Sequence, residues 1–312
     1  MAAYKSRMLQ HAEAAVQEEA RDSASGRWLA HLDQRSLPHF NQLVIWVLLG
    51  TALFLAVWPF FPVHEGPRQG NSTLLFWLPD AALGSPTLYW LFRATLLVGI
   101  ALWLLQRGLP WSCWLVVVGF TGMWSLQVEN THNTNHIFHM TNMLLVIQSI
   151  WITADEAKIK VAIAGGKYWT TPLVPRWVSL AAIAYIGVFH TAAGLSKLWF
   201  SGTDWANGTS LQIWTYLWGY RWSPATQLIL SSRSLTQVLQ VLTLVVETAG
   251  ILAIIPRLRV WIGLALLGFY IGVLATFDYG FQFNALLTAI YLLPLESWIT
   301  RRATSRNATL AN

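Results

Sequence analysis

Charged residues in this 312-residue chain are gathered into short clusters, and between the clusters lie eight long apolar stretches. They fall at residues 42–62, 85–106, 110–128, 136–153, 177–196, 236–256, 260–277 and 279–295. Each is near the roughly 20 apolar residues that an α-helix needs to cross a bilayer's hydrocarbon core. Six carry no formal charge; the second holds Arg93 and the sixth Glu247. Only 11% of the residues are charged and 55% are hydrophobic, against about 25% charged in an ordinary soluble domain. So few charges cannot coat two soluble domains. The pattern excludes a soluble enzyme and a disordered chain, and the single cysteine, Cys113, excludes a disulfide scaffold. The expected fold is all-α: a polytopic transmembrane helix bundle of about eight spans, with a polar tail over residues 1–38, a transmembrane domain over 39–296 and a second tail over 297–312.

Orientation follows from Lys and Arg. With the N-terminus in the cytoplasm, fifteen of the twenty fall in inside segments and three, Arg68, Arg221 and Arg233, in outside loops. Such an asymmetry is the positive-inside pattern, and it supports eight crossings with both termini cytoplasmic. The net charge of +6 is thus read as membrane orientation. No basic run with interleaved aromatics occurs outside the apolar segments, so no nucleic-acid partner is expected. The first apolar run begins near Leu43, too late for a cleavable signal peptide. A multi-pass protein of the plasma membrane is expected, the inner membrane if the source is bacterial.

Polar residues inside spans are costly to insert and are functional candidates by default. Given the assigned directions, Arg93, Asn135, His136, His190, Lys197, Glu247 and Tyr270 all fall in the outer half of the bilayer, which points to a polar cavity open to the outside. Each has a simpler reading. Arg93 and Glu247 can be an ion pair between helices. Lys197, at the end of the fifth span, can snorkel to the interface, or act as a base if burial favours its neutral form. His132, His136 and His139 share a helical face if the helix starts early enough. Metal ligation, a hydrogen-bonded helix end and proton handling are the three readings of that face, and no metal is the expectation. Beyond Lys197, Asp204 or Asn207 can cap an aromatic helix carrying Trp214, Tyr216, Trp218, Tyr220 and Trp222. Such a helix suits the headgroup level or an aromatic entry for a flat apolar ligand. Trp199, Phe200 and Phe277 are the candidate ring contacts.

The stretch Tyr185 to Gly208, YIGVFHTAAGLSKLWFSGTDWANG, resembles the HTTM (horizontally transferred transmembrane) domain family, best known from vitamin K-dependent gamma-glutamyl carboxylase. The shared elements are Gly194, Lys197-Leu198, Asp204-Trp205 and Gly208. Asn135-His136 and Glu247-Thr248-Ala249-Gly250 are further points of similarity, and the resemblance covers roughly residues 40–295. It implies that Lys197 deprotonates a quinol, vitamin K hydroquinone or menaquinol, with O2 and CO2 as co-substrates. It implies too that Asn135 and His136 orient or stabilise the oxygenated quinone, and that a glutamate side chain of a secreted peptide or protein is carboxylated. Two departures are Tyr270, where the carboxylase has a histidine, and Ser196, where it has a second lysine. The large luminal domain that holds the substrate propeptide in the carboxylase is not expected within the residues up to Asn312. Two other readings stay open: a non-redox membrane factor for maturation or export of a secreted peptide, and a small-molecule transporter. A base at Lys197 further asks that Glu247 be protonated or engaged by Arg93, because an adjacent carboxylate holds a lysine as its ammonium ion.

The orientation argument has a direct test. A cysteine placed at Asn207 is expected to react with a membrane-impermeant maleimide in intact cells. Labelling only after permeabilisation would overturn the assigned direction of the fifth span.

Overall fold

A computed structural model describes residues 36, 38–57, 75, 78–131, 137–277 and 281–295. The regular elements among them are helices: besides the single turn Asp80–Leu83, these are α1 (Pro38–Val57), α2 (Pro86–Leu104), α3 (Trp111–Thr131), α4 (His139–Ala154), α5 (Glu156–Ala164), α6 (Arg176–Ser201), α7 (Thr209–Trp218), α8 (Pro224–Ser231), α9 (Arg233–Thr248), α10 (Pro256–Thr276) and α11 (Gln282–Leu292). Two 3-10 segments, Gly202–Ala206 and Ala249–Ile254, extend α6 and α9. Helices α1, α2, α8 and α10 begin on proline. At the first helical position its missing N–H is no loss and its fixed φ suits the turn.

Among the described residues, six helical stretches are long and apolar enough to cross a membrane: Phe40–Val57, Pro86–Leu104, Trp111–Val128, Arg176–Ala206, Arg233–Ile254 and Pro256–Thr276. The chain is therefore a multi-pass integral membrane protein. Its outward surface fits a lipid solvent, since Trp46, Trp111, Trp199, Phe200, Trp222 and Trp261 are all exposed. The segments expected as the fourth and eighth spans form helices, α4, of 16 residues, and α11, of 11, both shorter than a full crossing. They are nevertheless antiparallel to their neighbours. Trp114, early in α3, donates from Nε1 to Thr153 Oγ1, late in α4, at 3.0 Å. Phe54 meets Phe283 at one end of α1 and Phe40 meets Tyr291 at the other, with centroids 5.0 and 6.3 Å apart.

The expected end of the fifth span at residue 196 is corrected. Leu198, Trp199 and Phe200 are compatible with an apolar helix, and the α-helix continues to Ser201, where Gly202 at φ 56° breaks it. Lys197 accordingly lies within a 31-residue helical segment. The sixth span starts earlier than expected, at Arg233, and tightens to 3-10 geometry after Thr248.

The contact that positions the site is between α6 and the α9 segment, and it is made through glycine. A Cβ on Gly194 would stand 2.7 Å from the Thr248 backbone nitrogen, and one on Gly250 would stand 2.8 Å from the Gly187 carbonyl oxygen. Small residues let membrane helices approach to backbone contact. Thr191 closes the seam: its Oγ1 donates to the Thr248 carbonyl at 3.1 Å and accepts from Ile251 N–H at 2.8 Å. It thereby serves backbone groups that the change from α to 3-10 geometry releases.

Gly194→Ala is expected to lower unfolding stability in detergent by about 1–3 kcal/mol, the cost of overpacking a filled contact. Gly268→Ala, where nothing lies within 4 Å of the added methyl, is expected to cause no loss. Thermal unfolding of the two variants side by side checks this. Equal melting temperatures would mean that the seam yields freely.

Candidate functional site

One face of α6 carries the site. Tyr185, Phe189, Ala193 and Lys197 recur at intervals of four, a helical row, and Glu247 faces this row from the last turn of α9. The Lys197 ammonium donates to Glu247 Oε2 in a direct ion pair. Its side chain is 26% exposed, whereas that of Glu247 is 4% exposed. On its other side the ammonium lies 5.0 Å from the centroid of the Trp205 ring, a cation–π contact. Lys197 is thus held from two directions, by a carboxylate on α9 and by an indole beyond the end of its own helix.

Trp205 is itself fixed by Gln240, a buried residue of α9 two helical turns before Glu247. Gln240 Nε2 donates to the Trp205 carbonyl at 2.6 Å and to Ser210 Oγ at 2.7 Å, and its Oε1 accepts from Gly208 N–H at 2.7 Å. Gly208 has φ 83°, and a Cβ there would stand 2.7 Å from the Arg233 carbonyl oxygen, so only glycine fits. Asn207 performs the expected capping. Its Oδ1 accepts from Thr209 N–H at 2.8 Å and Ser210 N–H at 3.2 Å at the start of α7. Asp204, the other expected cap, is exposed.

The ion pair borders a cavity of about 550 Å³ between α3, α4, α6, α9 and α10. Its polar lining includes Lys197, Glu247, His190, Tyr270 and His139, and its aromatic lining Trp124, Phe189, Phe269 and Phe281. His190 and Tyr270 are buried, and Tyr270 Oη lies 3.0 Å from His190 Nε2. His139 Nδ1 is hydrogen-bonded to Tyr185 Oη, and its ring stacks on Phe189 with centroids 5.4 Å apart. The chamber offers a carboxylate, an ammonium, two imidazoles and a phenol on a wall otherwise made largely of aromatic and small side chains. Its volume falls within the roughly 300–1,000 Å³ of small-molecule sites.

Four of the expected site residues, His190, Lys197, Glu247 and Tyr270, come together at this chamber, and Trp205 joins them through Lys197. Others do not. Arg93 is not on the cavity wall; its guanidinium lies over Trp90 and Tyr89 of its own helix, at 4.8 and 5.9 Å. Glu247 is bonded to Lys197, so the condition that Arg93 take the carboxylate is not met. Trp199 and Phe200, 85% and 84% exposed, do not line the chamber: they lie beyond Lys197 at the end of α6 and border a separate surface pocket with Leu195 and Ser196. Phe277 is buried at the bridge to Gly219 and does not line the cavity either. The aromatic side chains on the cavity wall are instead Trp124, Phe189, Phe269 and Phe281. Asn135 and His136 lie outside the described residues, but His139, three positions on, is on the cavity wall.

Further signals in the sequence point to the same chamber. Gln240 stands seven residues before Glu247, on the same helical face of an apolar span. His139 follows Asn135-His136 by one helical turn, and Tyr185 and Phe189 are spaced to stack with one partner. The sequence matches no family model, no curated protein and no solved structure.

Removing one member of a buried ion pair strands the other charge, at a cost of about 3–5 kcal/mol, whereas replacing both with apolar groups is often neutral. Lys197→Met is expected to destabilise toward the lower end of that range, given its partial exposure. Lys197→Met/Glu247→Leu is expected to recover most of the loss. Denaturant unfolding in detergent checks the cycle, and a double variant no better than the single one would show that the pair is not coupled.

Proposed function

We infer that this protein is an integral membrane enzyme that takes a proton from a quinol, in a reaction of the gamma-carboxylase kind. The observation that carries the reading is the Lys197–Glu247 pair on the wall of an aromatic chamber of about 550 Å³. The fit to a flat ring is supported by the wall itself. Phe189, His139, Tyr270 and Phe281 offer faces and edges at the separations aromatic rings prefer, and the polar groups stand at one side. A quinol bound there supplies an acidic hydroxyl and, with oxygen, an oxidisable ring. Oxygen, CO2 and a secreted peptide or protein as the group carboxylated enter the reading through the resemblance.

The chain's own part is to bind, to orient and to move one proton. A lysine bonded to a carboxylate is not a free amine, so the pair acts as the acceptor in place of Lys197 alone. The proton leaves the substrate oxygen for Glu247, and Lys197 Nζ stays beside that oxygen as the counter-charge. Preorganised charge of this kind needs no reorganisation as negative charge develops. Trp205, held by Gln240, keeps the ammonium from swinging out to the interface. His190, bonded to Tyr270, sets the orientation of a second polar group on the same wall.

The reading includes eight crossings with both termini cytoplasmic and the chamber nearer the outer face. The antiparallel course of α4 against α3 and of α11 against α1 supports the even count, and the Lys and Arg distribution supports the direction.

The test is quinol consumption and epoxide formation by protein in nanodiscs under oxygen. Lys197→Ala and Glu247→Gln are each expected to abolish turnover while leaving membrane insertion intact. A small alkylamine is expected to restore part of the activity of Lys197→Ala and none of that of Glu247→Gln. Wild-type turnover in either variant would refute the paired acceptor. If the unaltered protein consumes no quinol, the reading fails, and a role in maturing a secreted peptide without redox chemistry takes its place.

A further inference from the structure

A second cavity lies at the far end of the bundle from Lys197. The starts of α1, α6 and α10 and the end of α11 enclose about 330 Å³. Two arginines line it, Arg176 from the first position of α6 and Arg259 from the first turn of α10, together with Ser36 and Ser179. Much of the remaining wall is apolar, including Phe40 and Leu180. Both arginines are partly buried. Arg259 is also anchored, because its Nε donates to the Ala253 carbonyl at 3.2 Å. That bond fixes the plane of the guanidinium and leaves its terminal nitrogens on the opposite edge. Arg176 stands about 30 Å along α6 from Lys197, roughly the thickness of the hydrocarbon core. The cavity therefore sits at the membrane boundary opposite to the chamber described above.

Guanidinium groups match phosphate oxygens with paired, planar hydrogen bonds, and they lose less on leaving water than an ammonium does. Two of them on one concave wall, with serine hydroxyls beside them, form a phosphate-recognising surface. The apolar part of the wall decides the source of the phosphate. A free phosphate ion is hydrated on every side and gains nothing from Phe40 or Leu180. A phospholipid carries its phosphate at this depth and its acyl chains alongside apolar side chains. Basic pockets between transmembrane helices on the cytoplasmic side are suited to such headgroups. We propose that this cavity holds the phosphate headgroup of an anionic phospholipid between Arg176 and Arg259. The proposal does not depend on the chemistry assigned to Lys197.

The test uses the full chain in detergent, with phosphatidylglycerol and phosphatidylcholine of the same acyl composition added separately. Retention of each is read by native mass spectrometry. The protein is expected to keep one phosphatidylglycerol under activation that strips phosphatidylcholine. Arg176→Gln/Arg259→Gln is expected to reduce that retention about tenfold or more, the loss of roughly 1.4 kcal/mol. Lys160→Gln removes a charge already paired with Glu156 on the surface and is expected to change nothing, which separates a built site from general attraction to basic residues. Should the double glutamine variant fail to fold, Arg259→Lys decides: it keeps the charge, loses the fork, and is expected to bind phosphatidylglycerol more weakly than the unaltered protein. Equal retention of the two lipids would overturn the proposal, as would retention unaffected by the arginine variants. Displacement of the lipid by millimolar inorganic phosphate would overturn the lipid assignment.

Discussion

The arrangement rests on one close approach between helices. Where α6 meets α9, Gly194 and Gly250 remove the side chains that would keep the two backbones apart. Lys197 and Glu247 lie just beyond that point of contact, one from each helix. Helix association in a bilayer gains nothing from excluding water, because lipid is as apolar as leucine. Close packing and interhelical polar bonds must hold the pair of helices together. The seam supplies both, through glycine contact, the two bonds of Thr191 and the ion pair.

A lysine and a glutamate in an apolar span are costly separately and much less so in contact. The same desolvation that penalises a lone charge strengthens the attraction between the two. It extends outward to the groups around them. The indole of Trp205 covers the ammonium, Gln240 satisfies the backbone that carries Trp205, and Gly208 permits the turn that brings this backbone back over α9. A change at Gln240, far from the cavity wall, is therefore felt at the Lys197 ammonium through a hydrogen-bonded chain.

Much of this was legible in the sequence. Lys197, Glu247, His190 and Tyr270 stood out because they are polar or ionisable groups inside apolar spans, and the membrane class followed from charge distribution alone. What was not legible is which face of one helix meets which face of another. Arg93 obeys the same rule of conspicuous polarity, yet it settles over Trp90 and Tyr89 of its own helix, which no periodicity forbids. Trp199 and Phe200 have the right chemistry for ring contacts, but a helix that runs on past Lys197 carries them beyond the chamber and leaves them exposed. The end of that helix was misplaced because Lys197 looked like a boundary, whereas the true stop is Gly202. The partner of Glu247 was open between Arg93 and Lys197, and only the Gly194 contact decides it.

The length of the helical segment from Arg176 to Ala206 makes bilayer thickness a variable in this protein's chemistry. Up to the break at Gly202 its 26 α-helical residues extend about 39 Å, well beyond a hydrocarbon core of about 30 Å. The excess is taken up by tilt or by emergence of one end. Arg176 belongs at one headgroup layer, so the surplus appears at the other end, around Lys197. In a thick, ordered membrane the ion pair is submerged and its surroundings are dry. In a thin one it rises toward the headgroups and water reaches it. The same sequence thus presents a differently hydrated charge pair in membranes of different composition, with no change in any contact within the protein.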